Sequence, residues 1–342
     1  MKTLMETIGS ARFPHPHYEL AIRASVSRIT FALPGSVIAL IGPTRVGKSS
    51  AIRVAAQQVY PGGGGSEIPY IVVDCSRTDA GFTSTRYLTL DMLIAVEHPF
   101  YQGDNHLLRL SLTETNARHQ LRRAISYRGT RLIVLDEAHH LLRVKNRSGK
   151  EAALESLKCL GNETGAVIFL VGGYELLKAC FCSSHMNGRL SIIEFPRYKP
   201  DEADLHHFCK ILASYDKLLP WAKNQSLISI KEFIYEGSLG SCGLITSWVL
   251  LALANMATNG DSRLRREHFR NTRFEQQMEE IQSEITFGES VLSPLRLSAS
   301  SRLERTPESP EITCEKSTRR GNRRPGRRLP KRDKAGRMQV VE

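Results

Sequence analysis

Short uninterrupted apolar runs alternate with longer mixed stretches through about the first 200 positions of the chain. The runs are Ser36 to Ile41, Ile68 to Asp74, Arg131 to Asp136, Ala166 to Gly172 and Ser191 to Phe195. They are rich in Val, Ile and Leu and lack polar alternation, which suits strands buried on both faces of a parallel sheet. The stretches between them, such as Ser49 to Val59, read as the helices that supply right-handed crossovers. The pattern predicts an α/β core over residues 34–198. The lead-in, residues 1–33, contains a helical pattern from Tyr18 to Ile29, whose apolar positions Leu20, Ile22, Val26 and Ile29 recur at roughly helical intervals, and is expected to pack on the core. The run Gly62 to Gly65 after Pro61 reads as a loop.

From about Pro200 the pattern is helical without strands. One helix is expected to begin at Asp201, a second spans Ser226 to Tyr235, and a third, strongly apolar, spans Ile245 to Ala257. Together they predict a small all-helical lid over residues 199–289. After Glu289 the chain is rich in Ser, Pro, Arg and Glu and has no Trp or Tyr. Such a composition cannot bury enough apolar surface to offset ordering entropy, so residues 290–342 are expected to be a disordered basic tail. There is no internal repeat at a solenoid period.

Composition changes this picture only in its charge. Of 342 residues, 41% are hydrophobic and 24% charged, which excludes a wholly disordered, collagen-like or membrane-embedded chain. The formal net charge is +12. Eleven basic residues and one acid, Asp333, lie between Lys316 and Arg337, so nearly all the excess sits in the tail and the rest is close to balanced. The tail has three readings: a DNA tether acting by counterion release, a peptide that docks on an acidic partner, or a solubilising segment. The seven scattered cysteines form no C-x-x-C pair, which argues against a disulfide framework or structural zinc and for a reducing, cytoplasmic setting. No apolar run reaches the roughly 18 residues of a membrane span, and no apolar segment of a secretory signal follows Lys2.

The strongest chemical signal is Gly42-Pro43-Thr44-Arg45-Val46-Gly47-Lys48-Ser49, a complete G-x-x-x-x-G-K-S between a predicted strand and a predicted helix that continues through Ser50. Its glycines allow a tight loop whose N–H groups point at phosphate oxygens, and the helix N-terminus adds partial positive charge. Lys48 is expected to reach the β- and γ-phosphates of ATP and Ser49 to hold Mg²⁺. The companion motif is Arg131-Leu-Ile-Val-Leu-Asp136-Glu137. Asp136 emerges at a strand's carboxyl end, where it can hold Mg²⁺, and Glu137 can polarise the attacking water. His139 and His140 read as polar residues of the following helix, diverging by about 100°, rather than as a metal pair. Cys180 and Cys182 near His185 read as buried small hydrophobes.

Taken in order, Gly42 to Ser49, Leu135 to His139, Phe169-Leu-Val-Gly-Gly-Tyr-Glu-Leu-Leu177 and Asn187 to Leu190 with Glu194-Phe-Pro-Arg-Tyr198 resemble AAA+ ATPases, and within them the TnsC/TniB transposition regulators. The resemblance covers roughly residues 15–260 and implies a fold of α/β P-loop core plus helical lid. It implies a homo-oligomeric ring or filament that forms on double-stranded DNA with ATP, links a target-selection protein to a transposase, and disassembles on hydrolysis. It places Gly173 and Tyr174 at the γ-phosphate sensor, where relatives often carry Thr, so that either a backbone group or Tyr174 does the sensing or sensing is weak, and it places Ser241 where many carry a second, basic sensor, a departure that suggests slow hydrolysis. Arg189 is the arginine-finger candidate, with Arg197 as a second; a plain loop arginine is the competing reading. The stretches that contact DNA in relatives here hold Arg77, Thr78, Arg86, Arg118, Arg122 and Arg123, which suit phosphate contact, or else form a solvated helix face. Two other classes compete: an AAA+ replication initiator or helicase loader, and a nucleotide-switched signalling ATPase that does not touch DNA. A winged helix after the lid would be expected of an initiator.

Overall fold

The computed structural model describes residues 2–10, 13–62, 66–75, 78–79, 82–102, 113–142, 147–182, 190–273 and 275–303. The five apolar runs become β1 (Val37–Ile41), β2 (Tyr70–Asp74), β5 (Leu132–Asp136), β6 (Val167–Gly172) and β7 (Leu190–Glu194), with a two-stranded ribbon, β3 (Thr78–Asp79) and β4 (Phe82–Thr83), between the second and third. The five form one sheet in the order β2-β5-β6-β1-β7, and every pairing is parallel. β1, β5 and β6 are buried along their whole length, as runs without polar alternation require.

Helices cover both faces. On one side lie α2 (Pro16–Thr30) and α3 (Lys48–Val59), packed on Ile38, Leu40, Val134 and Phe169. On the other lie α4 (Thr85–Ala95), α5 (Glu114–Arg128), α6 (Arg147–Thr164) and α7 (Glu175–Cys182), packed on Ala39, Ile41, Ile133 and Leu170. The chain moves from β1 to the edge strand β2, returns through β5 and β6, and crosses β1 to reach β7. That switch opens a crevice at the carboxyl end of β1.

The lid comprises α8 (Glu202–Asp216), capped by the Asp201 side chain as the sequence predicts, α9 (Lys231–Ser238), α10 (Cys242–Thr258) and the short α11 (Arg266–Arg270). Ser226 to Tyr235 is only partly α-helical: Ile228–Ile230 is a 3-10 turn that leads into α9. The lid has its own core around Trp248, whose ring lies 5.3 Å from Phe233 and 5.9 Å from Phe269 and whose Nε1 donates to the Phe269 carbonyl at 3.0 Å.

Two features differ from the sequence reading. The lead-in is split: α1 (Lys2–Ser10) buries Ile8 in the lid core, whereas α2 packs on α3. Secondly, α12 (Glu275–Leu303) runs through the boundary expected at residue 290. Its buried positions Ile285, Gly288 and Leu292 recur at helical spacing, a signal hidden by the serines and charges around them. The chain divides into a unit Met1–Leu295 and a second, Arg296–Glu342, of which the described residues 296–303 are helical. The basic segment from Lys316 to Arg337 lies outside the described residues. No single helix among the described residues is long and apolar enough to cross a membrane.

Trp248→Ala should lower stability by about 3–5 kcal/mol, the cost of emptying a packed aromatic site, read as a shift of the denaturant midpoint.

Candidate nucleotide site

The loop Gly42 to Ser49 leaves the buried end of β1 and turns into α3. Gly47 has φ 105°, a left-handed conformation that a side chain would strain, and it is the residue that starts the helix. Gly42 is held by proximity: a Cβ there would lie 2.1 Å from the Phe195 carbonyl oxygen, so the loop can pass beneath β7 only without a side chain. Lys48 is buried, and its Nζ donates to the carbonyls of Gly42 at 2.9 Å and Pro43 at 2.6 Å. Burial lowers its pKa to about 8, against the opposing pull of Glu137, Glu284 and Asp136. An ammonium held in a curled loop with only neutral carbonyls on it is ready to exchange them for phosphate oxygens.

Ser49 Oγ donates to Asp136 Oδ1 at 3.0 Å, and the same oxygen accepts from the Glu137 N–H at 3.0 Å. The two residues predicted to share Mg²⁺ therefore meet, although they stand 87 positions apart, Ser49 in the first turn of α3 after β1 and Asp136 at the end of β5, with β6 between those two strands. A hydroxyl beside a buried carboxylate is a donor set that fits a hard dication. Glu137 takes a left-handed φ of 52°, which turns its half-exposed carboxylate into the cavity, 3.2 Å from His139 Nδ1.

The cavity holds about 920 Å³. The phosphate loop lines it with Thr44, Arg45, Val46, Gly47, Lys48, Ser49 and Ser50, and Glu137, Gly173 and Glu284 line it as well. Beyond the loop the lining turns aromatic and apolar: Phe13, His15 and Tyr18 from the lead-in, Ile211 and Tyr215 from α8, Leu250 from α10. That end suits a flat heterocycle, and the polar end suits a polyphosphate. Tyr18 is fixed by a 2.9 Å hydrogen bond between its hydroxyl and Ser50 Oγ. His15, whose pKa burial depresses to about 4, is neutral and accepts at Nδ1 from the Tyr18 N–H at 3.3 Å, while Tyr198 Oη lies 2.8 Å from the same nitrogen. The lid closes the site directly: the Gly243 N–H at the start of α10 donates to the Arg45 carbonyl at 2.7 Å, and the Arg45 side chain donates to Ser247 Oγ.

Other sequence candidates fall elsewhere. Tyr174 is fully buried with its hydroxyl on Glu194 Oε1, 3.2 Å away, so its ring does not face the cavity, and its N–H donates to Glu284 Oε1 at 2.9 Å. Ser241 is buried one residue before α10. Arg197 is engaged within the chain by Glu289, at 3.0 and 3.3 Å, and by the Leu239 carbonyl at 3.2 Å, which rules out the finger role in this conformation. Arg189 and Arg77 lie outside the described residues. Thr78 lies in β3 and Arg86 in α4. Arg118 turns onto α6, donating to Ser156 Oγ at 2.6 Å and to the Ser156 carbonyl at 2.7 Å; Arg122 reaches Glu163 at 3.4 Å; Arg123 is exposed. His139 and His140 do not diverge as expected of an α-helix. They sit on a 3-10 turn, Ala138–Leu142, with ring centroids 4.3 Å apart, and with Glu137 they bring three ligand atoms within 4.8 Å of one another. Cys180 is a buried hydrophobe as expected, its pKa pushed up by burial to about 12; the Cys182 side chain and His185 lie outside the description.

Sequence reasoning missed Phe13, His15, Tyr18, Tyr215 and Glu284. The lead-in residues carried a weak signal, an aromatic and histidine cluster just before a helix. Glu284 carried none.

The depressed pKa of Lys48 sets a pH dependence. Lys48 is charged below about pH 8 and binds phosphate in that form; a bound polyphosphate raises its pKa again. Nucleotide affinity should therefore fall as the pH climbs above about 8, and at that pH binding should take up a fraction of a proton. Calorimetric titrations in two buffers of different ionisation enthalpy measure that uptake, and Lys48→Met should remove it.

Residues 33–179 match the family described as AAA domain. No curated protein sequence matches the chain. Among solved structures, the ORC2 protein of Aeropyrum pernix in its ADPNP and ADP complexes aligns with a TM-score of 0.53 at 14% identity, covering 78% of this chain and 70% of that one. The ORC1 protein of the same organism, in complex with DNA, aligns with a TM-score of 0.57 at 16% identity over 75% of this chain; the match spans 64% of that protein, less than two thirds of its length. At such identities the likeness is one of fold. With the parallel sheet, the phosphate loop and the helical segment after it, residues 33–179 are an AAA domain and the chain has the fold of an AAA+ ATPase.

Proposed function

We propose that this protein is an ATP- and Mg²⁺-dependent AAA+ ATPase that acts on double-stranded DNA as a nucleotide-switched homo-oligomer, of the replication-initiator or helicase-loader type. The observation that carries the ATPase reading is the meeting of Ser49 and Asp136 beside the buried Lys48. The DNA reading is supported by the fold likeness to ORC proteins, one of them in complex with DNA.

Bound ATP with Mg²⁺ supplies the polyphosphate and the charge that neutralises it. Lys48 holds negative charge at the loop, Ser49 and Asp136 hold the cation, and the aromatic end formed by Tyr18 and Tyr215 seats the base. Glu137, exposed to the cavity and steered by its left-handed backbone, accepts the proton of the water that attacks the terminal phosphate. Arg189 remains the candidate finger for a neighbour's site, which would make turnover slow until subunits assemble. Arg77, Thr78, Arg86, Arg122 and Arg123 are proposed for phosphate contact without base reading. Arg118 is proposed there only if it exchanges Ser156 for DNA.

A second reading, regulation of transposition in the manner of TnsC/TniB proteins, with a target-selection protein and a transposase as partners, is favoured by the order of the sequence motifs. It is also favoured by the described residues after α11, which form one helix rather than a winged helix.

Fluorescence anisotropy of labelled duplex DNA, followed by electron microscopy, tests the shared part of both readings. ATP should drive particles onto DNA, Lys48→Ala should abolish this, and Glu137→Gln should preserve it while lowering hydrolysis by roughly a hundredfold or more. Hydrolysis intact in Glu137→Gln would remove Glu137 from the role of base, and no nucleotide-dependent DNA binding would overturn the DNA reading.

A further inference from the structure

The helix α12 carries none of the residues that hold nucleotide or polarise water, yet it lines the cavity through Glu284. It lies across the end of β6, fastened at three points. Gly288 rests on the Tyr174 ring, where a Cβ would lie 2.0 Å from Cγ. Glu289 makes a two-pronged ion pair with Arg197, at 3.0 and 3.3 Å. Glu284 accepts from the Tyr174 N–H at 2.9 Å. At Gly173, the residue before, a Cβ would lie 2.5 Å from Glu284 Oε1. The small residue at that cavity wall and the carboxylate seated against it are therefore one arrangement.

We infer that Glu284 sets the nucleotide preference of the site: seated against Gly173 in the cavity that the phosphate loop lines, its carboxylate opposes a third phosphate and so favours the diphosphate while α12 is docked. Glu284 lines the same cavity as Lys48, Ser49, Glu137 and Gly173. Its acidity is already weakened, first by burial, and further by Glu175 and Glu137, while the Tyr174 N–H and Lys48 pull the other way. Adding a polyanion at Lys48 uses up that lysine's charge. The carboxyl then has two courses, to take up a proton or to leave, and leaving means that α12 lifts from Tyr174. Either course costs free energy that rises with phosphate charge, so a triphosphate is penalised more than a diphosphate. By the same linkage, a bound triphosphate loosens α12.

The inference rests on the reading of this cavity as the nucleotide site, and the test separates the two. The full-length protein, its Lys48→Ala variant and its Glu284→Gln variant are titrated with ADP and with a non-hydrolysable ATP analogue. Glutamine keeps the acceptor for Tyr174 and removes only the charge, so Glu284→Gln should raise the affinity for the analogue relative to ADP by roughly five- to twentyfold. Gly288→Ala, which forces α12 off Tyr174 with the carboxylate intact, should shift the ratio the same way and covers the case in which Glu284→Gln does not fold. In the unaltered protein the analogue should speed hydrogen exchange along α12 more than ADP does. An unchanged ratio in both variants, with ADP still bound, makes Glu284 only a fastening for α12 and overturns the inference. Failure of the unaltered protein to bind either nucleotide, or equal binding by Lys48→Ala, overturns the site itself.

Discussion

The nucleotide site depends on one constraint, the parallel register that brings the carboxyl ends of β1, β5 and β6 to a single edge. Ile41 pairs with Gly172, and Leu135 with Leu170, so the phosphate loop, Asp136 and Gly173 all leave the sheet side by side. The phosphate loop, Asp136 and Gly173 are far apart in sequence. The hydrogen bond from Ser49, at the start of α3, to Asp136, at the end of β5, spans the width that β6 sets between β1 and β5. Burial of β6 on both faces holds that spacing. A parallel sheet can be built no other way, since its strands must be joined by crossovers that hide both faces.

Much of this was legible because it rests on local patterns. Five apolar runs without alternation became five parallel strands, three of them, β1, β5 and β6, buried throughout as expected, while the edge strands β2 and β7 are only partly buried; the phosphate-loop motif fell between a strand and a helix, as its chemistry demands. Asp201 caps α8 where a helix start was expected. What escaped was set by tertiary contact. Ser226 to Tyr235 has helical periodicity throughout, but its first part tightens into a 3-10 turn held by the Asp216 carboxylate, which accepts from the Leu227 N–H at 2.7 Å. His139 and His140 were placed on an α-helix, and the 3-10 turn brings their rings together. Arg118 and Arg197 look like free cations in a sequence, yet both satisfy partners within the chain. The start of α12 shows the same limit from the other side: its apolar positions are few, and their burial depends on Tyr174 being there to receive Gly288.

The departure at Gly173 takes on a different meaning once side chains are placed. Read along the chain, glycine at that position is a missing sensor. In the fold it is the space that Glu284 fills, contributed from 110 residues downstream of Tyr174. A residue missing from a motif can thus be replaced by chemistry from a distant element, and motif comparison alone would score it as a loss. The same holds for the aromatic end of the cavity, which draws on the lead-in and the lid but not on the AAA domain proper, residues 33–179.

The split lead-in has a mechanical consequence. The polypeptide crosses between core and lid near His15, near Tyr198 and again between α11 and α12, and the first two crossings are joined by the 2.8 Å contact between His15 Nδ1 and the Tyr198 hydroxyl. Stacking of His17 on the Tyr198 ring, with centroids 4.3 Å apart, stiffens the same junction. One neutral imidazole thus joins Tyr18, which lines the slot, to Tyr198, where the chain passes into the lid, so the wall that meets a flat ring is seated by a clasp that begins outside the AAA match.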